Sequence, residues 1–324
     1  MPSVRSTGSE VSQKEFKGHS KEVLAIAYSP DGKLIASGSA DTTIRIWDSH
    51  AGTQVGKPLE GHQNYVKAVA FSPDGSHIAS GSLDNTIRVW SVRTHQEIPR
   101  TKELAMDPFI GHTGTVTAVN FTPEGTSVVS ASEDRTIRIW DTRTGKSLRT
   151  IKGHEDRINA LDVSPDGSRI ASGSWDHMVR IWDINTGQRV AGPYKHGDYV
   201  RSVCFSPSGS CLLSGSDDKT ARVWDISTGQ EVLKVEHDKW VKCVHYAPDG
   251  RTFLSASDDN TIRTWNVSTG KMFHSLEHES DVGAAAFSLD GTRIASGTIN
   301  GYIRIWEATG GKLLLGKVRD RRTL

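Results

Sequence analysis

GHQNYVKAVAFSPDGSHIASGSLDNTIRVWS, residues Gly61–Ser91, contains the pattern from which the fold of this chain follows. The run VKAVAFS is rich in β-branched and aromatic residues, as strands are. The tetrad SPDG has Pro second and Gly fourth, which is typical of a type I turn. A second strand, HIASGS, a turn that carries an Asp, and a third strand, NTIRVW, then follow. The stretch therefore predicts short antiparallel strands joined by tight turns.

The same stretch recurs along the chain. Seven copies end on a Trp, and the spacings between these Trp residues are 43, 50, 42, 42, 41 and 41. A His near the start of each copy repeats the same series of spacings. A TG turn then leads to a fourth strand, as in TGKSLRTI at Thr144–Ile151. Because no segment has helical periodicity, the sequence predicts an all-β fold of seven units with four antiparallel strands each.

A Gly-His opening and a Trp-Asp close, repeated every 41–43 residues, resemble the WD-repeat family. The resemblance covers about residues 10–316 and implies a single seven-bladed β-propeller, in which neighbouring blades around a channel supply each other's core. It divides residues 1–324 into repeats at about 11–52, 53–95, 96–145, 146–187, 188–229, 230–270 and 271–316, with a basic tail at 317–324. The sequence is also similar to the propellers of fungal WD-repeat proteins that carry a nucleotide-binding oligomerisation domain, which implies a sensor or recruitment module. It contains no phosphate-binding motif.

Two segments compete for the outer strand of blade seven. In WD-repeat proteins the first strand of the chain usually completes the last blade, and VSQKEF at Val11–Phe16 lies where that strand is expected. The tail GGKLLLGKV at Gly310–Val318, with residues 311–316 as its centre, follows Trp306 as other fourth strands follow their Trp. We expect the N-terminal segment to hold this position.

Each repeat also contains one His, Ser, Asp and Trp at fixed spacing, with Asn300 in place of the last Asp. Ser, His and Asp together can activate a nucleophile, but an enzyme needs one such site rather than seven. The resemblance implies instead a buried structural relay, in which Asp accepts from His, His meets Ser, and Ser meets the indole N–H. We therefore expect no catalytic residue and no enzyme. The sets are His19, Ser37, Asp41, Trp47; His62, Ser80, Asp84, Trp90; His112, Ser130, Asp134, Trp140; His154, Ser172, Asp176, Trp182; His196, Ser214, Asp218, Trp224; His237, Ser255, Asp259, Trp265; and His278, Ser296, Asn300, Trp306.

Positions that differ between repeats are the candidates for function, because what repeats is mostly scaffold. One such position is the turn residue before each Asp, where only repeat four has a Trp, Trp175. The others flank the first Val or Ile of the first strand. The resemblance implies that all of them open onto one face, around the channel mouth. The candidate partner-binding residues are Tyr65, Lys67, Arg157, Trp175, Tyr199, Arg201, Trp240 and Lys242.

These residue types indicate a protein or peptide partner. Aromatic residues and Arg are enriched in binding hot spots, and an aromatic–cation arc suits an acidic or phosphorylated peptide. Two alternatives stay open: interleaved acids can neutralise the cations, and Trp175 can instead pack over a neighbouring loop. The acids are Asp156, Asp198, Asp217, Asp238 and Asp258.

Composition excludes several other classes of protein. The net charge is +1, from 39 basic and 38 acidic residues, so no long-range field favours nucleic acid or an anionic membrane. One Arg per third strand is expected to be a paired surface cation rather than part of a phosphate track. No apolar run reaches the roughly 18 residues of a membrane span, and MPSVRSTGSE has no apolar signal region. We expect a monomer in the cytoplasm or nucleus, not a secreted protein.

The three cysteines match no metal-binding spacing, and the sequence shows no sign of a cofactor. Cys204 and Cys211 flank a tight turn, where a disulfide is sterically possible. In a reducing compartment, however, free packed thiols are the better expectation. We therefore expect no metal, no cofactor and no disulfide.

Overall fold

The computed structural model describes residues 18–98 and 109–315. In these ranges, no helix is long and apolar enough to cross a membrane. The described residues form seven antiparallel sheets, numbered here as blades one to seven in chain order. The first strand of each blade contacts the first strand of the next, and blade seven contacts blade one in the same way. The ring is therefore closed, and the prediction of an all-β, seven-bladed propeller is confirmed.

The strands of each blade run from the channel outward. Blade one has β1 (Val23–Tyr28), β2 (Leu34–Ser39) and β3 (Ile44–Asp48), and blade two has β4 (Val66–Phe71), β5 (His77–Ser82) and β6 (Ile87–Ser91). Blade three has β7 (Val116–Phe121), β8 (Ser127–Ser132), β9 (Thr136–Asp141) and β10 (Ser147–Lys152). Blade four has β11 (Ile158–Val163), β12 (Arg169–Ser174), β13 (Met178–Asp183) and β14 (Arg189–Lys195). Blade five has β15 (Val200–Phe205), β16 (Cys211–Ser216), β17 (Thr220–Asp225) and β18 (Glu231–Glu236). Blade six has β19 (Val241–Tyr246), β20 (Thr252–Ser257), β21 (Thr261–Asn266) and β22 (Met272–Glu277), and blade seven has β23 (Val282–Phe287), β24 (Arg293–Thr298), β25 (Ile303–Glu307) and β26 (Leu313–Leu315).

Blades one and two have a fourth segment that pairs only through isolated bridges. The bridges are Trp47 with Gln54 and Ile44 with Leu59 in blade one, and Trp90 with Glu97 and Ile87 with Phe109 in blade two. Blades three to seven have a regular fourth strand. Each blade thus has four antiparallel segments.

The apolar core lies between blades rather than within one. Ile181 of blade four and Val203 of blade five, for example, belong to one buried cluster. Gly173 in β12 shows how closely the blades approach, because a Cβ there would lie 2.5 Å from Cγ1 of Val200 in the next blade. The Gly of the repeated SGS therefore makes room for the neighbouring first strand. Stacking of this kind buries both faces of each sheet, which no single blade achieves alone.

The outer strand of blade seven is C-terminal where the structure describes it. In β26, Leu313 pairs with Trp306 and Leu315 pairs with Ile305. Our expectation that Val11–Phe16 holds this position is wrong for these residues, and Val11–Phe16 itself lies outside the described ranges. The physical reason is apolar contact, since Leu313 and Leu315 pack against the clusters on the two sides of blade seven.

The cysteines are partly buried free thiols, so the disulfide alternative is not realised. Burial raises the pKa of the Cys204 thiol well above its ordinary value, and the nearby Asp162 carboxyl acts in the same direction. Burial also raises the pKa of Cys243. Both groups are therefore held as neutral, unreactive thiols.

Removing residues 313–324 is expected to lower the melting temperature by at least about 3 °C, because it deletes β26 and uncovers the edge of β25. Removing only residues 316–324 keeps β26 and is the matched control, for which no change is expected. Differential scanning calorimetry of the two truncations makes the comparison. Equal melting temperatures would show that β26 does not stabilise the ring.

Candidate functional site

Blades one to six each contain a buried relay of Trp, Ser, His and Asp. In blade four the indole N–H of Trp182 donates to Ser172 Oγ at 2.8 Å, and His154 Nε2 lies 2.7 Å from the same oxygen. His154 Nδ1 lies 2.9 Å from Asp176 Oδ2. These contacts place the imidazole proton on Nδ1, which donates to the carboxylate, while Nε2 accepts the Ser proton. The other five relays have His–Asp distances of 2.8–2.9 Å and His–Ser distances of 2.6–2.8 Å.

The relay Asp also ties together two loops at one end of the blade. In blade five, Asp218 Oδ2 accepts the backbone N–H of Gly197, next to His196, at 2.9 Å. Asp218 Oδ1 accepts the backbone N–H and the hydroxyl of Thr220 at 3.0 and 2.6 Å. Burial raises the pKa of Asp218, but the hydrogen bonds and charge of His196 and the other donors outweigh it and hold the pKa well below its ordinary value. The carboxylate is therefore ionised and fully engaged.

Blade seven lacks this carboxylate, because Asn300 stands in its place. His278 Nδ1 lies 3.1 Å from the backbone oxygen of Leu276 and donates there instead. The link from His278 Nε2 to Ser296 remains, at 2.8 Å. Burial, assisted by the charge of Arg304, lowers the pKa of His278 to about 3, so this imidazole is neutral.

The relays are closed to substrates. The seven relay Ser residues have no exposed surface, and each hydroxyl already meets an indole and an imidazole. A nucleophilic role for them thus has no geometric support. Among residues 18–98 and 109–315, no group of three or more His, Cys, Asp or Glu is placed to hold a metal ion.

The two kinds of variable position are neighbours at the end of the blades where the relay Asp lies. In all seven blades the turn residue before the relay position donates its backbone N–H, at 2.9–3.2 Å, to the oxygen of a residue that precedes the first strand. The pairs are Ala40 with Glu22, Leu83 with Tyr65, Glu133 with Thr115, Trp175 with Arg157, Asp217 with Tyr199, Asp258 with Trp240, and Ile299 with Asp281. The side chains that vary most between blades are therefore held side by side.

Six of the eight predicted partner-binding residues form a chain of contacts over blades four to six, here called the arc. The arc consists of Arg157, Trp175, Tyr199, Arg201, Trp240 and Lys242. The Trp175 and Tyr199 rings are stacked, with centroids 4.6 Å apart and an interplanar angle of 11°. Arg201 is central, because its Cζ lies 5.3 Å from the Trp175 ring centre and 5.6 Å from that of Tyr199. It also lies 6.0 Å from the Trp240 ring centre, and Arg157 Cζ lies 4.9 Å from Trp175.

Tyr65 and Lys67 of blade two lie apart from the arc. The Tyr65 ring meets Lys21, whose Nζ is 5.7 Å from the ring centre. Lys67 lines a cavity of about 440 Å³ at the channel mouth, together with Arg201 and Lys242. The structure thus places Lys67 inside the channel and Tyr65 beside it.

Carboxylates pair with every cation of the arc. The pairs are Arg157 with Glu133 (Nη1–Oε2 3.6 Å), Arg201 with Asp217 (Nε–Oδ1 2.9 Å) and Lys242 with Asp258 (Nζ–Oδ2 3.2 Å). Three of the other interleaved acids are engaged elsewhere. Asp156 and Asp198 accept backbone N–H groups of Arg157 and Tyr199, and Asp238 pairs with Arg263. The arc is therefore an electrically balanced aromatic surface rather than a positive patch.

The seven third-strand Arg residues are also engaged within the protein. Their partners are Gln54 for Arg45, Glu97 for Arg88, the Trp140 ring for Arg138, Asp176 for Arg180, Asp218 and Glu231 for Arg222, Asp259 and Asp238 for Arg263, and Glu279 for Arg304. These contacts engage each guanidinium group within the protein, and Arg180 and Arg304 are buried rather than surface cations, so the seven Arg residues form no exposed phosphate track.

One set of variable residues escaped prediction, at the fifth position of the first strands. Blades three to six have Asn120, Asp162, Cys204 and His245 there, whereas the other three have Ala. Asp162 accepts the backbone N–H of Phe205 at 2.8 Å and the amide of Asn120 at 2.9 Å, and so braces three blades. The set lines a cavity of about 670 Å³ at the other end of the channel. A copy-by-copy reading of this position is the sequence signal that reveals it.

A closed ring of seven blades with a shared relay defines a β-propeller built from sequence repeats. Seven segments of the chain match one family model, WD domain, G-beta repeat, at residues 10–48, 52–91, 104–141, 145–183, 187–225, 229–266 and 270–307. These segments make up most of the sequence, so the chain belongs to the WD-repeat family.

Similar proteins match over about one repeat each. The Notchless protein homolog of Arabidopsis thaliana is 56% identical over 36 residues, 11% of this chain and 8% of that protein. The vegetative incompatibility protein HET-E-1 of Podospora anserina, a fungal protein, is 53% identical over 38 residues, 12% of this chain and 3% of its own length. The serine-threonine kinase receptor-associated protein of Gallus gallus is 42% identical over 50 residues, 15% of this chain and 14% of its own length. Each alignment therefore covers only a small part of the relative.

Replacing Asp134 by Ala is expected to lower the free energy of unfolding by on the order of 3 kcal/mol, because it leaves buried donors of His112 and Thr136 without an acceptor. Asn300→Ala is the matched control, since Asn300 makes no hydrogen bond to His278, and a loss below about 1 kcal/mol is expected. Chemical denaturation at pH 7 measures both. Equal losses would contradict the structural role of the relay carboxylate.

Asp162 should make stability depend on pH in the opposite sense to the relay Asp residues. Burial raises the pKa of Asp162 from 3.8 to about 6 in the folded protein, so its contribution is complete below about pH 4 and is lost as pH rises through 6. Relative to Asp162→Asn, the wild type is expected to lose up to about 3 kcal/mol between pH 4 and pH 7. Urea unfolding across this range tests it, because the relay groups are common to both proteins and cancel. A constant difference, or one that grows in favour of the wild type with pH, would refute the assignment.

Proposed function

We propose that this protein is a non-catalytic interaction module that binds other proteins or peptides through the arc and the adjoining channel mouth. The observation that carries the proposal is the Arg201 guanidinium held among the rings of Trp175, Tyr199 and Trp240. Binding energy at protein interfaces concentrates in such clusters of Trp, Tyr and Arg. The cluster belongs to blades four to six, whereas the relays are common to the ring.

Trp240 gives the arc an exposed anchor. Its side chain is 46% exposed, and Lys242 Nζ lies 4.7 Å from the ring centre. Tyr65, 38% exposed, occupies the equivalent position of blade two, and Ile299, 43% exposed, is the turn residue before Asn300 in blade seven. Exposed large apolar side chains grouped on one face of a propeller are typical of a surface that a partner covers.

The arc is held rigidly before any partner binds. Asp217 is 5% exposed and fixes Arg201 from within the protein through Nε and Nη2. Arg157 is more exposed and has a longer ion pair with Glu133, at 3.6 Å. Because the Arg201 side chain has little freedom to lose, the entropic cost of binding at the centre of the arc is low.

Trp175 has a supporting role in this arrangement. It is partly buried between Arg157 and Arg201 and stacked on Tyr199, and its indole Nε1 is buried without a hydrogen-bond partner in the described structure. Its replacement would disturb the position of Arg201 as well as remove a contact. Arg201→Glu would place a second carboxylate against buried Asp217. Trp240 is therefore the better residue to replace in a binding test, because these two replacements would also disturb the interior of the arc.

The family and its members support the proposal. WD-repeat propellers typically serve as scaffolds for protein interactions. The similar Gallus gallus protein is described by its name as receptor-associated. An association role on this face is consistent with both.

Trp240→Ala is expected to weaken partner binding by about 30-fold or more, the effect of losing one hot spot, while melting stays near wild type. The partner is captured from an extract of the protein's own cells, identified by mass spectrometry and titrated against both proteins. The affinity ratio is the readout.

Phe273→Ala is the matched control, because Phe273 is an aromatic residue of the same blade, 48% exposed, but lies on the outer strand β22. It should bind the partner like the wild type. If Phe273→Ala abolishes capture and Trp240→Ala does not, the partner binds the rim and the proposal is wrong.

A further inference from the structure

Three cations converge on the cavity at the channel mouth. Lys67, Arg201 and Lys242 each occupy the second position of a first strand, in blades two, five and six. All three line the same cavity of about 440 Å³. The positive charges of Arg201 and Lys242 act on Lys67, although Lys67 lies in a different part of the ring.

Lys67 differs from the cations of the arc because it has no ion-pair partner within 4.0 Å among the described residues. Its side chain is partly buried. Burial lowers the pKa of the ammonium, the charges of Arg201 and Lys242 lower it further, and Glu133 and Glu22 oppose them from beyond contact distance. A cation in this setting is unfavourable unless an anion joins it.

Arg201 contributes unused donors to the same cavity. It binds Asp217 through Nε and Nη2, and its Nη1 amino group makes no hydrogen bond within the described structure. Lys242 is held by Asp258 but has further N–H groups, since an ammonium has three. The three side chains can thus donate to one incoming group without breaking their own ion pairs.

Two carboxylates line the cavity beside these cations. Asp258 is already paired with Lys242, and Asp281 lies on blade seven without an ion-pair partner in the described residues. Among the carboxylates, Glu133 and Glu22 have the largest effects on Lys67, and neither of them lines the cavity. Lys67 and the Nη1 group of Arg201 therefore line the cavity as donors without an acceptor among the described residues.

We propose that the channel mouth binds an anionic group, a carboxylate or phosphate carried by a segment of the protein partner, on Lys67 and Arg201 with Lys242 beside them. The inference rests on the proposed function, because the arc would hold the segment from which this group enters. The acidic group would bind in the channel rather than on the arc, because carboxylates of the protein already pair with the cations of the arc. Charge-assisted hydrogen bonds to such a group are stronger than neutral ones and fix its position.

The test uses four resin-bound random heptapeptide libraries whose central residue is fixed as Glu, phosphoserine, Gln or Lys. The wild type is compared with Lys67→Gln, which removes the unpaired cation. Lys33→Gln makes the same charge change directly after the SPDG turn at the far end of blade one, where Lys33 is exposed. Trp240→Ala is included so that dependence on the arc is measured separately. Melting temperatures show whether each variant is folded.

The wild type and Lys33→Gln are expected to bind the Glu or the phosphoserine library about tenfold more than the Gln library, and Lys67→Gln should lose this preference. The two acidic libraries distinguish a carboxylate from a phosphate. Lys67→Gln should melt no lower than the wild type, because it removes a buried charge that lacks a partner.

Three results would overturn the inference. Binding that needs Trp240 but is equal for Glu and Gln libraries, or is unchanged in Lys67→Gln, would leave the proposed function intact without an anion site. A preference for the Lys library would mean that Asp281 and Asp258 receive a cation instead. The absence of binding to both acidic libraries would exclude the site. Acidic binding that needs Lys67 but not Trp240 would support the anion site and contradict the arc as the surface that holds the segment.

Discussion

The face that carries the arc depends on one interaction, the bond from His Nδ1 to the relay Asp. The carboxylate that accepts it also accepts the backbone N–H after the His and the N–H of the third strand, as Asp218 does in blade five. It therefore fastens the loop that enters the first strand to the turn that precedes the third. Those two loops carry the residues that vary between blades. The relays consequently fix the positions of the variable side chains, which take no part in the relays themselves.

The relays also explain why the side chains of the arc are held in fixed positions. Trp175 and Tyr199 belong to different blades, yet their rings stack at 4.6 Å because each lies on a loop that its own relay holds in place. Asp217, at the turn position of blade five, restrains Arg201 from below. Rigid support from the scaffold converts separate loop residues into one surface.

The sequence was sufficient for the fold because its markers are local and repeated. His, Ser, Asp and Trp recur at fixed spacing in blades one to six, and their donor and acceptor inventory allows one arrangement there. Ring closure was not predictable in this way. Val11–Phe16 and Gly310–Val318 both lie where a fourth strand of blade seven is expected, and only the contacts of Leu313 and Leu315 with the core favour the second.

The candidate site was predictable only in part. Comparison of the repeats identified the arc residues, because both variable positions lie at a fixed number of residues from the relay His or Asp. It did not reveal that Asp217, Asp258 and Glu133 pair with the arc cations while Lys67 has no such partner, because pairing across loops depends on side-chain directions. The Asp162 brace went unnoticed for a related reason. The fifth position of the first strand reads as strand interior unless all seven copies are compared.

A partner that binds as proposed covers the arc and the channel mouth. Hydrogen–deuterium exchange of the protein, alone and saturated with its captured partner, measures which segments are covered. Exchange is expected to slow in the segments at residues 155–159, 174–177, 197–201 and 238–242, with the SPDG turns and outer strands unchanged. Protection confined to the SPDG turns or to the outer strands β10, β14, β18 and β22 would contradict this proposal.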